Sequence, residues 1–248
     1  MPKKNIIKNK SKKAAFFDVA GTLTLLPMFA PFSRILERKG LFDANEQKLI
    51  EKAYADYVAG RISEREYVPL FKRIQARGFK GKRRADVEKA AVAYFKAGRF
   101  RLRPFVKPLV NLLKKRGYAV VLVSGSLIEE IAPIGAWLDV NADAVFAQTM
   151  TVDARGRYDG GYSLVASTPQ AKTRIARAYA RKEGIDLRRS LAFGDMYLDE
   201  GMMAIVGHAI ALNAVHYFKS KAHSRKWFVV TQRENVVKRV GELLYSLD

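Results

Sequence analysis

The 248-residue sequence contains no cysteine. That removes disulfides, thiolate metal sites and cysteine nucleophiles, and several hydrolase mechanisms with them. It also lacks any apolar run near the roughly 18 residues that a membrane helix requires. Residues 1–13 offer only Ile6 and Ile7 where a secretory leader needs a longer apolar stretch. The expectation is a cytoplasmic protein with no membrane span. Acidic residues are few, 24 against 45 Lys and Arg, for a formal charge of +21. Six lysines and no acid fall in residues 1–13, which read as a solvated basic tail. The remaining +15 is spread along the chain and steers anions toward it. No aromatic-flanked RNA motif or helix-turn-helix pattern accompanies this charge, so nucleic acid is not the expected partner.

What is present is apolar patterning. Hydrophobic residues make up 49% of the chain, enough for a sizeable core. The run 14–17 ends at Asp18 and meets Gly21 and Thr22, as a buried strand entering a turn does. From 25 to 100 the pattern is helical, with Ser63 and Glu66 spaced as a capping box and Gly60, Gly78 and Gly81 as punctuation. After Pro104 helices and strands alternate. The spacing predicts a helix over 105–115, a strand over 118–123, a helix over 128–138 and extended chain over 144–146. A helix over 169–182 behind a Thr168 cap and strands over 191–193 and 209–212 follow. Arg155-Gly156 and Asp159-Gly160 suggest a β-hairpin within 152–162. The predicted fold is α/β, a doubly wound, mostly parallel sheet with a helical insertion after its first strand. Its parts are the tail 1–13, a core of 14–24 plus 101–248, and a helical cap of 25–100.

Ligands of such sheets gather beyond the carboxyl ends of the strands. Asp18, Ser124, and Asp195 with Asp199 each follow a predicted strand, and Lys172 sits in the first turn of a predicted helix. Singly, an Asp after a strand is commonly a helix cap, and a helical lysine is commonly solvated. Together they form an ordered set. Phe16-Phe17-Asp18-Val19-Ala20-Gly21-Thr22-Leu23-Thr24, Val121-Leu122-Val123-Ser124-Gly125-Ser126, Lys172, and Phe193-Gly194-Asp195-Met196-Tyr197-Leu198-Asp199 resemble the four ordered motifs of the haloacid dehalogenase superfamily. Within it the chain resembles the branch containing phosphoserine phosphatase, whose helical cap lies between the first two motifs.

The resemblance implies a phosphatase acting on a small phosphorylated substrate. Asp18 would be the nucleophile that forms an aspartyl-phosphate. Ser124, Gly125 and the turn at Gly21 and Thr22 would bind phosphoryl oxygens, and Lys172 would hold nucleophile and phosphate together by charge. Mg²⁺ is the implied cofactor, bound by Asp18, the main-chain carbonyl of Ala20 and Asp195, with Asp199 ordering a bound water or ligand behind them. The cap is expected to open and close at the links 21–24 and 101–104.

Two positions depart from the family's pattern. Ala20 stands where the phosphatases usually carry a second aspartate that protonates the leaving oxygen and then activates water. Such a chain is an attenuated or inactivated phosphatase, a non-catalytic phosphate-binding protein, or a phosphonate-cleaving relative, whose family resembles this chain in its alanine. The last also resembles Schiff-base chemistry on a cap lysine, and sequence alone does not single one out. Pro27 stands where phosphoserine phosphatases usually carry a glutamate that reads the substrate amine, which puts phosphoserine in doubt. Leu25, Leu26, Met28, Phe29 and Phe32 around it either line a pocket or pack the cap, and Arg61 is either a clamp or a surface residue. His208 reads as structural.

Overall fold

The computed structural model describes residues 12–25, 28–163, 165–231 and 233–247. Strand β1 (Lys13–Phe17) is followed by four helices, α1 (Phe29–Arg38), α2 (Ala44–Val58), α3 (Glu64–Phe79) and α4 (Arg84–Lys96). Then come α5 (Val106–Lys115), β2 (Tyr118–Leu127), α6 (Ile128–Trp137), β3 (Val145–Val152) and β4 (Tyr158–Ser163). The chain continues through α7 (Pro169–Glu183), β5 (Leu191–Gly194), α8 (Glu200–Met203), β6 (His208–Leu212), α9 (His216–Ser224), β7 (Phe228–Val230) and α10 (Val236–Tyr245). Among the described residues no helix is long and apolar enough to cross a membrane.

Ala14, Ala15, Phe16 and Phe17 are fully buried, because β1 is the central strand of a seven-stranded sheet ordered β4-β3-β2-β1-β5-β6-β7. A run with no polar alternation suits a strand covered on both faces. All pairings are parallel except β3 with β4. Phe17 stacks on Phe193 of β5, ring centroids 4.2 Å apart and planes 7° from parallel. Burying each ring stabilises by about 1.5–3 kcal/mol. Chain order runs one way from β1 to β3 and the other way from β5 to β7, so the switch point lies between β1 and β5.

The sequence-based boundaries move where the structure is irregular. Strand β2 continues through Ser124, Gly125 and Ser126, which the pattern placed beyond its end; its register against β3 shifts between Val123 and Leu127. Residues 142–144 form a 3₁₀ turn, because Asn141 Oδ1 accepts from the Asp143 N–H, and β3 starts after it. The hairpin is present as β3 and β4, with Asp153 Oδ1 accepting from the N–H groups of Arg155 and Arg157. The expected caps form as well. Ser63 and Glu66 close reciprocally, and Thr168 Oγ1 accepts from the Ala171 N–H at 3.1 Å.

The four inserted helices are tied to the hairpin as well as to β1 and α5. The N–H of Gly81 donates to the Tyr158 carbonyl (2.7 Å), that of Tyr158 to Lys82 (2.9 Å) and that of Arg84 to Gly156 (3.0 Å). Phe79 packs on the Tyr158 ring at 5.1 Å, and the Tyr158 hydroxyl donates to buried Glu129. Motion of the insertion, expected at the links 21–24 and 101–104 alone, therefore has a third anchor at 81–84. We expect the amides of Gly81, Tyr158 and Arg84 to exchange with one shared opening free energy by native-state hydrogen exchange, distinct from the frayed surface turns. Three unrelated opening energies would show that the insertion moves without releasing the hairpin.

Candidate active site

Asp18 is fixed by the sheet that precedes it. Its N–H donates to the Phe193 carbonyl at 2.9 Å, extending the β1–β5 ladder by one rung and setting the side chain at the switch point. On β5 the chain turns at Gly194, where a Cβ would lie 2.4 Å from the Cβ of Asp199, so only glycine lets the 195–199 loop fold back. That fold lets Asp199 Oδ2 accept from the N–H groups of Asp195 (3.0 Å) and Met196 (3.2 Å). The Thr168 cap and Pro169 start α7 so that Lys172 faces the sheet. Its Nζ lies 2.6 Å from both Asp18 Oδ1 and Asp199 Oδ1, with all three side chains buried.

The Thr22 hydroxyl braces a carboxylate, Oγ1 donating to Asp195 Oδ1 at 2.7 Å, and the expected phosphate role of this turn rests on its main-chain N–H groups. Gly21 takes φ +96°, and a Cβ there would sit 2.5 Å from Asp195 Oδ2, so a side chain is excluded twice over. Ser124 is buried, its Oγ accepting from the Ser126 N–H at 3.2 Å. Gly125 lines the cavity described below, and its carbonyl accepts from Lys72 Nζ.

Carboxylate oxygens of Asp18, Asp195 and Asp199 lie within 4.8 Å of one another, all buried. One ammonium cannot balance three carboxylates. Burial, opposed by Lys172 and reinforced by Asp199, raises the Asp18 pKa to about 6. Asp195 is raised well above the ordinary range by burial and then by Asp18 and Asp199. Burial pulls Lys172 down, but the Asp18 and Asp199 carboxylates outweigh it and hold its pKa above the usual lysine value. Asp18 Oδ2 has no hydrogen-bond partner among the described residues. A hard divalent cation fits this all-oxygen donor set, since it would engage the orphaned oxygen and relieve the repulsion. Asp199, with both oxygens accepting hydrogen bonds, suits orientation better than direct ligation.

Asp18, Ala20 and Lys172 open on a cavity of about 190 Å³ roofed by α2 and α3. Met28 and Phe29 line it, whereas Phe32 packs inside the insertion against Tyr94 (5.1 Å) and Phe100 (5.6 Å). Leu25 lines a different depression, beside Leu102 and Pro104. Leu26 and Pro27 lie outside the described residues. Arg61 pairs with Asp56 at 2.7 Å on the surface, away from the cavity. His208 starts β6 opposite Leu191, and burial lowers its pKa.

Among the cavity residues that the sequence did not single out are Lys72 and Gln75 on α3, Glu130 on α6, and Ser167. A signal existed for the first two, since they are polar residues on the buried face that includes Ile74 and Phe79. Burial lowers the Lys72 pKa to about 8, with Glu130 opposing. Burial raises that of Glu130 to about 8 against the Leu127 N–H and Lys72.

Glu130 therefore makes stability pH-dependent. A raised folded pKa gives stability that is complete below the unfolded value of 4.5 and lost as pH rises through about 8. Glu130→Gln removes this dependence. Its melting temperature relative to the parent should climb from pH 5 to pH 8 and then level off; a difference that stays flat over that range would refute the assignment.

Comparison with known proteins agrees with this geometry. Residues 15–204 match the family described as haloacid dehalogenase-like hydrolase. The chain is 28% identical over 228 residues to the inhibition of morphological differentiation protein of Streptomyces azureus, covering 87% of this chain and 77% of that one. It is 27% identical over 214 residues to a phosphoserine phosphatase of Archaeoglobus fulgidus, covering 86% of this chain and 56% of the relative. In fold it is similar to a phospho-aspartyl intermediate analogue of phosphoserine phosphatase, with TM-score 0.68 at 23% identity over 94% of this chain and 99% of that one. A Bordetella pertussis protein of unknown function aligns with TM-score 0.72 at 19% identity, over 89% and 98%. The chain thus belongs to the haloacid dehalogenase-like hydrolase family and is similar to its phosphoserine phosphatases.

Proposed function

We propose that the chain is a Mg²⁺-dependent phosphatase of small phosphomonoesters that works through an aspartyl-phosphate on Asp18. The observation that carries this reading is the buried Lys172 bridge between Asp18 and Asp199, beside an Asp18 oxygen with no partner of its own among the described residues. Asp18 and Asp195, with the Ala20 carbonyl, would hold Mg²⁺, which supplies charge neutralisation of the phosphoryl oxygens when bound. The Ser124 hydroxyl and the N–H groups of the Gly21 turn and Gly125 bind the same oxygens. Asp18 attacks phosphorus in line; the bond to the leaving oxygen breaks, and its electron pair departs on that oxygen. Water then hydrolyses the acyl phosphate, releasing inorganic phosphate and restoring the carboxylate.

At position 20 a methyl group can neither protonate the departing oxygen nor activate the water. The missing general acid–base catalysis costs about 10²–10⁴ in rate, or about 3–5 kcal/mol of barrier. The main-chain carbonyl is untouched, so binding of Mg²⁺ and phosphate persists. Aryl phosphates with acidic phenols need no proton on departure, and alkyl phosphates do. Ala20→Asp should therefore raise the rate of aspartyl-phosphate formation from alkyl phosphates far more than from aryl phosphates, with about 10²–10⁴-fold as the ceiling, while Asp18→Asn abolishes both. Calorimetry should show weaker Mg²⁺ binding for Asp195→Asn. No gain from Ala20→Asp on a broad ester panel would favour a non-catalytic binding protein.

A second reading, phosphonate cleavage, gains support from Lys72. This insertion lysine is buried in the cavity that Asp18 and Ala20 line, is lowered to about 8, and has no carboxylate within ion-pair distance among the described residues. Its amine would condense with a substrate carbonyl, releasing water. The carbon–phosphorus electron pair would then pass into the resulting imine as Asp18 takes the phosphoryl group. Borohydride added during turnover of phosphonoacetaldehyde should leave a stable mass increment on Lys72 if this reading holds; an unmodified chain would dismiss it.

A further inference from the structure

The cavity wall has polar groups that the proposed phosphoryl transfer does not use. Gln75 is fully buried, and neither its Nε2 nor its Oε1 has a partner among the described residues. Ser167 Oγ and Glu130 Oε1, also buried and lining the same cavity, are likewise unpartnered there. Three separate segments, α3, α6 and the loop before α7, thus bring unmade hydrogen bonds to one space. Buried polar groups are nearly always satisfied, and unmade ones are costly. Several such groups around one cavity point to a ligand that completes them.

The rest of the wall says what kind of ligand. Tyr57 and Tyr67 stack at 4.7 Å, with planes 11° apart, and Tyr67 packs on Phe71 at 5.5 Å. With Phe29 these rings line the cavity, and an aromatic lining suits a ring-sized body. The Lys72 ammonium at the polar end is already engaged. Lys72, one helical turn before Gln75, donates to the Gly125 carbonyl. That ammonium is thus bound to a main-chain oxygen, and Glu130, its pKa raised to about 8, stands beside it as a neutral carboxyl at pH 7. A primary amide such as Gln75 instead pairs with a group that offers a donor and an acceptor side by side.

We propose that this cavity selects phosphate esters of ring-bodied alcohols whose far edge is an amide or lactam, with Gln75 reading that edge and Ser167 and Glu130 beside it. The inference rests on the phosphatase reading of the same site and adds the class of leaving group. Gln75 is here a specificity-determining residue, remote from the reacting atoms.

The test compares two probes, 4-carbamoylphenyl phosphate and phenyl phosphate, titrated calorimetrically with Mg²⁺ into the full chain carrying Asp18→Asn, which cannot be phosphorylated and serves as the parent for these measurements. The parent should bind the carbamoyl ester at least about tenfold more tightly, as one well-made buried amide pair allows. Gln75→Leu should shrink that ratio to within about threefold, and Ser167→Ala should lower it in part. A thermal melt identifies a variant that fails to fold, in which case Gln75→Met, close to glutamine in shape, takes its place. Because the readout is a ratio between two esters, a general loosening of the site would move both affinities and leave it unchanged. Equal binding of the two esters by the parent, or a preference that survives loss of Gln75, overturns the proposal. If that happens while Asp18-dependent hydrolysis continues, the phosphatase reading stands alone. If Mg²⁺ binds and neither ester does, both fall.

Discussion

A buried ammonium group holds this site together. Lys172 bridges Asp18 from the first strand and Asp199 from the loop after the fifth, joining positions 154 and 27 residues away. Removing it would leave two desolvated carboxylates facing each other, a change that typically costs about 3–5 kcal/mol for a broken buried pair. The bridge also dictates its surroundings. α7 must begin at Thr168 for Lys172 to point inward, and Gly194 must lack a side chain for Asp199 to fold under it. Even so the balance is incomplete, which is why Asp18 is raised to about 6 and one of its oxygens is left without a partner among the described residues. Repulsion of this kind at a switch point is what the proposed Mg²⁺ would relieve.

The inserted helices meet the core through polar contacts as well as packing. Lys72 reaches from α3 to the Gly125 carbonyl, immediately after Ser124 in the strand proposed to bind phosphate. The wall proposed to face the leaving group and the strand proposed to face the phosphate are therefore mechanically joined. The hairpin bonds to Gly81, Lys82 and Arg84 reinforce the joint from the far side. A substrate too small to touch α3 would leave this coupling unused, so its binding energy could not be spent on ordering the phosphate end.

Much of this was legible in the sequence because it rests on local rules. The buried run before Asp18, the Thr168 and Ser63 caps and the glycine turns of the hairpin depend on near neighbours, and each is found where the pattern placed it. The hydroxyl of Thr22 was not legible. Its bond to Asp195 spans 173 residues, and nothing at positions 20–24 distinguishes a threonine that binds phosphate from one that braces a carboxylate. β2 was cut short because Ser-Gly-Ser reads as a turn, although the ladder with β3 carries it onward. Glu130 was missed for a related reason. A polar residue in a helical pattern looks solvated until the neighbouring helix is seen to bury it. Of the segments after β6 that went unassigned, α9 has few apolar positions and β7 only three residues, whereas the helical spacing of Val236, Val240 and Leu244 in α10 was a signal that the sequence did carry.

The alanine at position 20 and the aromatic lining of the cavity bear on one another. A general acid is needed in proportion to the basicity of the departing oxygen, so its loss penalises an alkoxide severely and a phenolate little. Position 20 opens on the same cavity as Tyr54, Tyr57, Tyr67 and Phe71, an aromatic lining that favours a ring over a flexible alkyl chain. If the leaving group carries its oxygen on such a ring, expulsion of the alcohol needs no carboxyl at position 20. Only the second half of the cycle, attack of water on the aspartyl-phosphate, would then be slowed by its absence. That division predicts a chain that transfers the phosphoryl group to itself readily and releases it slowly, so the phosphorylated form accumulates. A burst of phenolate equal to the protein concentration, followed by slow steady release, is the kinetic signature of such an imbalance. Linear release from the first turnover would place the slow step at transfer, and the fit between Ala20 and the aromatic wall would then have no kinetic consequence.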